Sequence, residues 1–135
     1  FSHMASTRIM QYGELEINHR PIAYRHYVAG MVWFDFEVLC GSPRSQHDYI
    51  ELARYQHTVF VANVPVMGEA NNDHARRFIF LIDEFYDRRV KLVISAAAAP
   101  KQLYNGKRLA FEFQRTVSRL TEMQTAHYLG SEHKA

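Results

Sequence analysis

Apolar and polar residues alternate with a period of two near the start of the chain and with a helical period further on. Gly13 to Asn18 alternates and is followed by Pro21, which predicts a short strand ending there. In Val28 to Cys40, Val32, Phe34, Phe36 and Val38 fall on one face and Asp35 and Glu37 on the other, as in a strand with one buried and one partly wet face. Gly41 to Ser45 reads as a turn. Ser45 is suited to cap a helix over 46–55, with Asp48 in its first turn favoured by the helix dipole.

His57 to Val64 is a β-branched apolar run closed by Pro65. It lacks clean alternation and so predicts a strand buried on both faces, as parallel strands usually are. After a loop over 68–72, Asn72 or Asp73 can cap a helix from Asp73 to Arg89, in which Ala75, Phe78, Ile79, Ile82, Phe85 and Tyr86 form one stripe. Val90 to Ser95 is a second buried run, so 57–95 reads as a βαβ unit, normally a right-handed crossover between parallel strands. Residues 96–108 read as a loop with one helical turn at Lys101 to Tyr104. A long last helix is expected from Glu112 to Leu129, with Gly130 at its C′ position. The expected class is α/β: a mixed sheet with an N-terminal antiparallel hairpin, a βαβ unit and a long C-terminal helix.

Composition narrows this picture. The 135 residues suit one domain, with 47% hydrophobic and 22% charged residues, which is globular rather than disordered composition. Phe1 to Ser6 reads as an expression-tag remnant, leaving 7–135 as the single natural domain, cut from a longer protein. A net charge of +2 gives no general electrostatic case for nucleic acid. A single cysteine, Cys40, excludes an intramolecular disulfide and suits a reducing compartment. No apolar run approaches the ~20 residues of a membrane span.

Candidate chemistry is sparse. Phe78 to Glu84 imitates a Walker B end, but its period is helical, and Gly106-Lys107 is followed by Arg108 instead of Ser or Thr, so the segment has no P-loop. Asp83 and Glu84 are therefore expected on a helix surface. The eight histidines show no His-Glu-x-x-His and no i, i+4 pair, so no metal site is assigned. His19 and His57 are expected to make structural hydrogen bonds, and Cys40 to be a buried small hydrophobe. Two arginine pairs stand out. Arg76-Arg77 sits in the first turn of a helix, where the dipole disfavours cations. Arg115 and Arg119 are i, i+4 neighbours on the last helix. Each pair is either part of a salt-bridged face or a grip for phosphate or carboxylate.

Several longer stretches are more specific. Leu15-Glu-Ile-Asn-His-Arg-Pro21, Arg44-Ser-Gln-His-Asp-Tyr-Ile50, His57-Thr-Val59, Val64-Pro65, Ala75-Arg-Arg-Phe-Ile79, Asp83-Glu-Phe-Tyr-Asp87, Val90-Lys-Leu-Val93, Phe111-Glu-Phe-Gln-Arg115, Ser118-Arg-Leu120 and Glu122-Met-Gln124 occur in order. Over about residues 13–134 the chain resembles the C-terminal part of the bacterial cell-division ATPases of the AFG-like AAA+ family. The resemblance implies a cytoplasmic bacterial ATPase that uses ATP and Mg when full length, acts at the division ring and associates with FtsZ. It also implies a partnership with the protein's own P-loop ATPase portion and the ring-shaped homo-oligomers common among AAA+ proteins. The Walker motifs lie upstream in that family, so this segment alone is expected to need no cofactor and to hydrolyse no ATP. Arg115 and Arg119 become candidates for nucleotide sensing, completing the site of the full-length enzyme. Arg76 and Arg77 become candidates for partner binding. Ala97-Ala-Ala-Ala-Pro100 departs from the family's more polar loop.

Overall fold

The computed structural model describes residues 10–134. The tag-like Phe1 to Ser6 lies outside the described residues. Five strands form one sheet in sequential order: β1 (Met10–Ile17), β2 (Arg20–Val28), β3 (Met31–Asp35), β4 (Thr58–Val64) and β5 (Lys91–Ala96). The first two pairings are antiparallel, and β3–β4 and β4–β5 are parallel. The expected mixed α/β architecture is present. It contains two crossovers: α1 (Gln46–Tyr55) links β3 to β4, and α2 (Asn72–Asp87) links β4 to β5.

The expected end of the first strand at Pro21 is corrected. Asn18 and His19 both have positive φ (51° and 65°) and form a two-residue hairpin loop whose twist suits the paired strands. The second strand starts at once, with Pro21 inside it. Among the described residues the start of β2 pairs with β1 alone, because pairing with β3 begins only at His26, and this accommodates the proline.

The long strand over 28–40 is also corrected. A turn at Ala29-Gly30, with Gly30 at φ 82°, separates β2 from β3, which ends at Asp35. Glu37–Gly41 then forms a π-helical turn. Phe36, Leu39 and Cys40 have the i, i+3, i+4 spacing of a helix as well as lying in an apolar run, and all three are fully buried. Arg44 Nε and Ser42 Oγ both donate to the Val38 carbonyl at 3.1 Å, satisfying a group the strand would have paired.

α1 begins at Ser45 as expected, and its first turn is closed by the Asp48 carboxylate, which accepts the Ser45 N–H at 3.0 Å. Asp48 is buried and also takes Asn18 Nδ2 at 3.2 Å and a guanidinium nitrogen of Arg20, tying the hairpin to α1. α2 starts at Asn72, one residue earlier than expected, with Asn71 at the N-cap position but its side chain accepting the Gly68 N–H at 2.7 Å rather than capping the helix, and it ends at Asp87. Arg89 follows at φ 59°, its guanidinium stacked over Tyr86 and Tyr128, contacts that offset an unfavourable backbone conformation.

The expected single last helix is two. α3 (Ala110–Glu122) stops, and Thr125 caps α4 (Ala126–Leu129) by accepting the Tyr128 N–H at 3.2 Å. The break lets the buried Tyr128 hydroxyl sit 2.6 Å from the Val90 carbonyl and 3.1 Å from that of Phe85. Gly130 has φ −85°, so no left-handed C′ position is needed there. The helical turn in the preceding loop is a short 3-10 turn at Pro100–Gln102.

α1 packs on α2 and α2 on α3. Beneath them, register aligns Val32 with Val59 and Leu92, and Phe34 with Val61 and Ile94. Trp33, Phe60 and Val93 are aligned on the opposite face.

Candidate functional site

The α2–α3 surface carries most of the candidate chemistry. α3 is positioned at its start by Glu69, whose carboxylate accepts the N–H groups of Lys107 and Arg108, the latter at 2.9 Å. Those two backbone donors, joined by Asn72 and Tyr104, hold the Glu69 carboxyl below the usual carboxylate range. Tyr104 reinforces the clamp: its hydroxyl lies 2.7 Å from Asn72 Oδ1 and accepts the Leu109 N–H at 3.1 Å. Phe78, Phe113 and Tyr104 stack in series beneath.

On this base Arg119 is locked. It pairs with Asp83, lies over the Tyr86 ring at 5.0 Å and is 23% exposed. Tyr86 in turn donates its hydroxyl to Glu122. Arg115, one turn earlier, reaches Asp83 only at 3.4 Å and is 60% exposed. It lines an open groove of about 480 Å³ with Glu112, Gln114, Ser118 and Phe111, a residue that is 81% exposed. The i, i+4 pair is therefore split: one guanidinium belongs to the scaffold and the other to the surface.

The second pair splits in the same way. Arg77 donates to the Cys40 carbonyl at 3.0 Å, bracing the π-helical turn against α2. Arg76 is exposed and has no ion-pair partner among the described residues. Asp83 and Glu84 lie on α2, as their helical period implies. Asp83 receives both α3 arginines, and Glu84 pairs with Arg88 at 3.8 Å.

His57 does make a structural contact, its Nδ1 lying 2.8 Å from Thr58 Oγ1. Burial first, then the charges of Lys91 and His133, lower its pKa. His19 sits exposed in the hairpin loop. Cys40 is buried, and burial pushes its thiol up to about 12, so a nucleophilic thiolate is not available at neutral pH. It lies in the π-helical turn and not at a strand end. Among the described residues no group of three or more His, Cys, Asp or Glu side chains could hold a metal ion, and no helix is long and apolar enough to cross a membrane.

One polar cluster was not anticipated. At the carboxyl ends of β3, β4 and β5, Arg25 Nε donates to Asp35 at 2.9 Å, Asn63 Nδ2 donates to the same carboxylate at 3.3 Å, and Asn63 N–H donates to Ser95 Oγ at 2.9 Å. Asn63 stands at φ 63° where the β4–β5 register shifts, a bulge that only its position in the sheet reveals. Asn-Val-Pro after a β-branched run was the available sequence signal.

The family model for AFG1-like ATPases matches residues 1–132. The chain is 53% identical over 121 residues to the cell division protein ZapE of Escherichia coli K12, covering 90% of this chain and 32% of that protein. It is 37% identical to lactation elevated protein 1 homolog B of Danio rerio, covering 84% of this chain and 29% of that one. An uncharacterized protein, C115.02c, of Schizosaccharomyces pombe is 29% identical, covering 87% and 32%. The chain thus spans about a third of the length of the curated relatives it matches. No solved structure matches it. On the strength of the family match over nearly its whole length, the chain belongs to the AFG1-like ATPases.

Proposed function

We propose that this chain is the C-terminal domain of a bacterial cell-division ATPase, and that it contributes partner contacts or regulation instead of hydrolysing ATP by itself. The observation that carries the reading is its 53% identity to a cell division protein across 90% of the chain, in a segment without a phosphate loop. ATP and Mg are assigned to the full-length protein, which would work in the cytoplasm at the division site, as a homo-oligomer and in contact with the FtsZ ring. The residues here fit a supporting role toward nucleotide: they offer an exposed guanidinium but no loop of backbone N–H groups to cradle phosphates.

Arg76 is the better partner-binding candidate of its pair, because Arg77 is spent on the Cys40 carbonyl. Co-sedimentation with GTP-assembled FtsZ polymers at two salt concentrations tests the reading. Saturable pelleting that weakens at high salt and in Arg76→Ala supports it. A protein that stays in the supernatant at both salts, as this chain and as the longer polypeptide, defeats it.

The exposure of Arg115 favours a second reading, in which that residue completes the nucleotide site of the full-length ATPase while Arg119 holds α3 in place. Full-length Arg115→Ala would then lose hydrolysis by orders of magnitude, as when a γ-phosphate-stabilising arginine is removed. Unchanged turnover would end this reading.

A further inference from the structure

The sheet ends at β1 on one side and at β5 on the other. β5 is last in the strand order, and Lys91 N–H donates inward to the His57 carbonyl at 2.8 Å. Backbone groups of alternate residues point to opposite edges of a strand, so Lys91 and Val93 bond toward β4 while Leu92 and Ile94 turn their N–H and C=O outward. Natural edge strands are usually blunted by charge, proline or bulges. Leu92-Val93-Ile94 has none of these; Lys91 precedes it and the β4–β5 irregularity comes after it.

Both flanks of this edge are grooved; the outer groove is apolar, and the helix-side one mixes apolar side chains with the polar Gln124. On one face a groove of about 100 Å³ runs along Phe60, Val93 and Ser95. On the helix side another of about 220 Å³ lies between Leu92, Ile94, Leu120 and Met123. An added strand with alternating apolar side chains would fill the two grooves in turn while its backbone completed the ladder.

We propose that β5 is the docking edge for an extended segment of the longer polypeptide's own ATPase portion; this rests on the reading of the chain as one domain of a larger ATPase. Roughly two thirds of each relative lies outside the matched region, and a tethered segment acts at an effective concentration on the order of millimolar. A second copy pairing through a six-residue strand would bury far less than the ~1,000 Å² a stable interface needs.

Amide hydrogen exchange compared between this 135-residue chain and the longer polypeptide tests the assignment. The Leu92 and Ile94 amides should exchange about 100-fold more slowly in the longer protein, with Val93 already protected in both. Equal exchange of Leu92 and Ile94 in the two proteins would overturn the proposal. Protection in the short chain that grows with concentration would also overturn it, assigning the edge to a second copy. ATP hydrolysis by the same longer sample separates the two ideas: turnover with unprotected Leu92 and Ile94 defeats only the docking edge. Protection without turnover defeats only the ATPase reading.

Discussion

β4 and β5 are built from nearly interchangeable runs, Val59-Phe60-Val61 and Leu92-Val93-Ile94, paired in register on either side of α2 in the chain. In β4, Val59, Val61, Ala62 and Val64 are all buried. In β5 no residue is fully buried: Leu92 and Ile94, the register partners of the buried Val59 and Val61, are only partly covered, and Val93, the partner of the partly buried Phe60, is 45% exposed. Composition is the same and environment is opposite. Burial in a sheet is conferred by the layer over each face together with the flanking strands, so an apolar run reports only the capacity to be enclosed.

The sharpest way to break this comparison is to place a charge in each strand. Val61→Asp should cost ~4 kcal/mol or more, because a carboxylate is buried without a partner, whereas Val93→Asp should stay within about 1 kcal/mol. Urea unfolding of both variants measures the difference, and equal losses would show that the outer face of β5 is as enclosed as the helix-covered face of β4.

A smaller effect is expected where β5 enters the sheet. Tyr128→Phe removes the hydroxyl that serves the Val90 and Phe85 carbonyls and should cost about 1–3 kcal/mol, with faster exchange at the start of β5 and little change in β4. Uniform loosening of both strands would contradict that local role.

On the β4 side, Asp48 makes the α1 crossover sensitive to acid. Burial raises its pKa, but the Ser45 N–H, Asn18 and Arg20 together outweigh burial and leave it below the ordinary value. The folded pKa is thus the depressed one. The contribution is full above the unfolded carboxyl value of about 4 and is lost as pH falls through the folded value. Asp48→Asn should cost about 1 kcal/mol at neutral pH and flatten the acid limb of a stability–pH profile. An unaltered acid limb would assign it to other carboxylates.

The least effect belongs to the helix covering the β5 flank. Arg119→Ala should destabilise by roughly 1 kcal/mol through lost contact with Asp83 and Tyr86, and Arg115→Ala by less than about 0.5. Thermal melts of the two variants test whether only one arginine is structural.

Much of this was legible along the chain. The stripe from Ala75 to Tyr86 gave α2 nearly to its ends, and Ser45 with Asp48 gave the start of α1. Phe36 to Cys40 misled because its spacing satisfies both strand and helix periods, and the choice lay with Arg77, on a helix 37 residues away. The arginine pairs were visible as pairs. Which member was spent and which stood in solvent depended on Asp83 and on the Cys40 carbonyl, partners with no local relation to them.

Local periodicity, turn chemistry and the ordered motifs were therefore enough for the α/β class, most of the elements and the family, since each depends on residues near one another in the chain or on their order. Strand order, the open edge at β5, the bulge at Asn63 and the division of labour between Arg115 and Arg119 were decided only when distant segments met. A side chain's exposure, and a backbone group's partner, are properties of the space around it, and that space is filled by residues dozens of positions away.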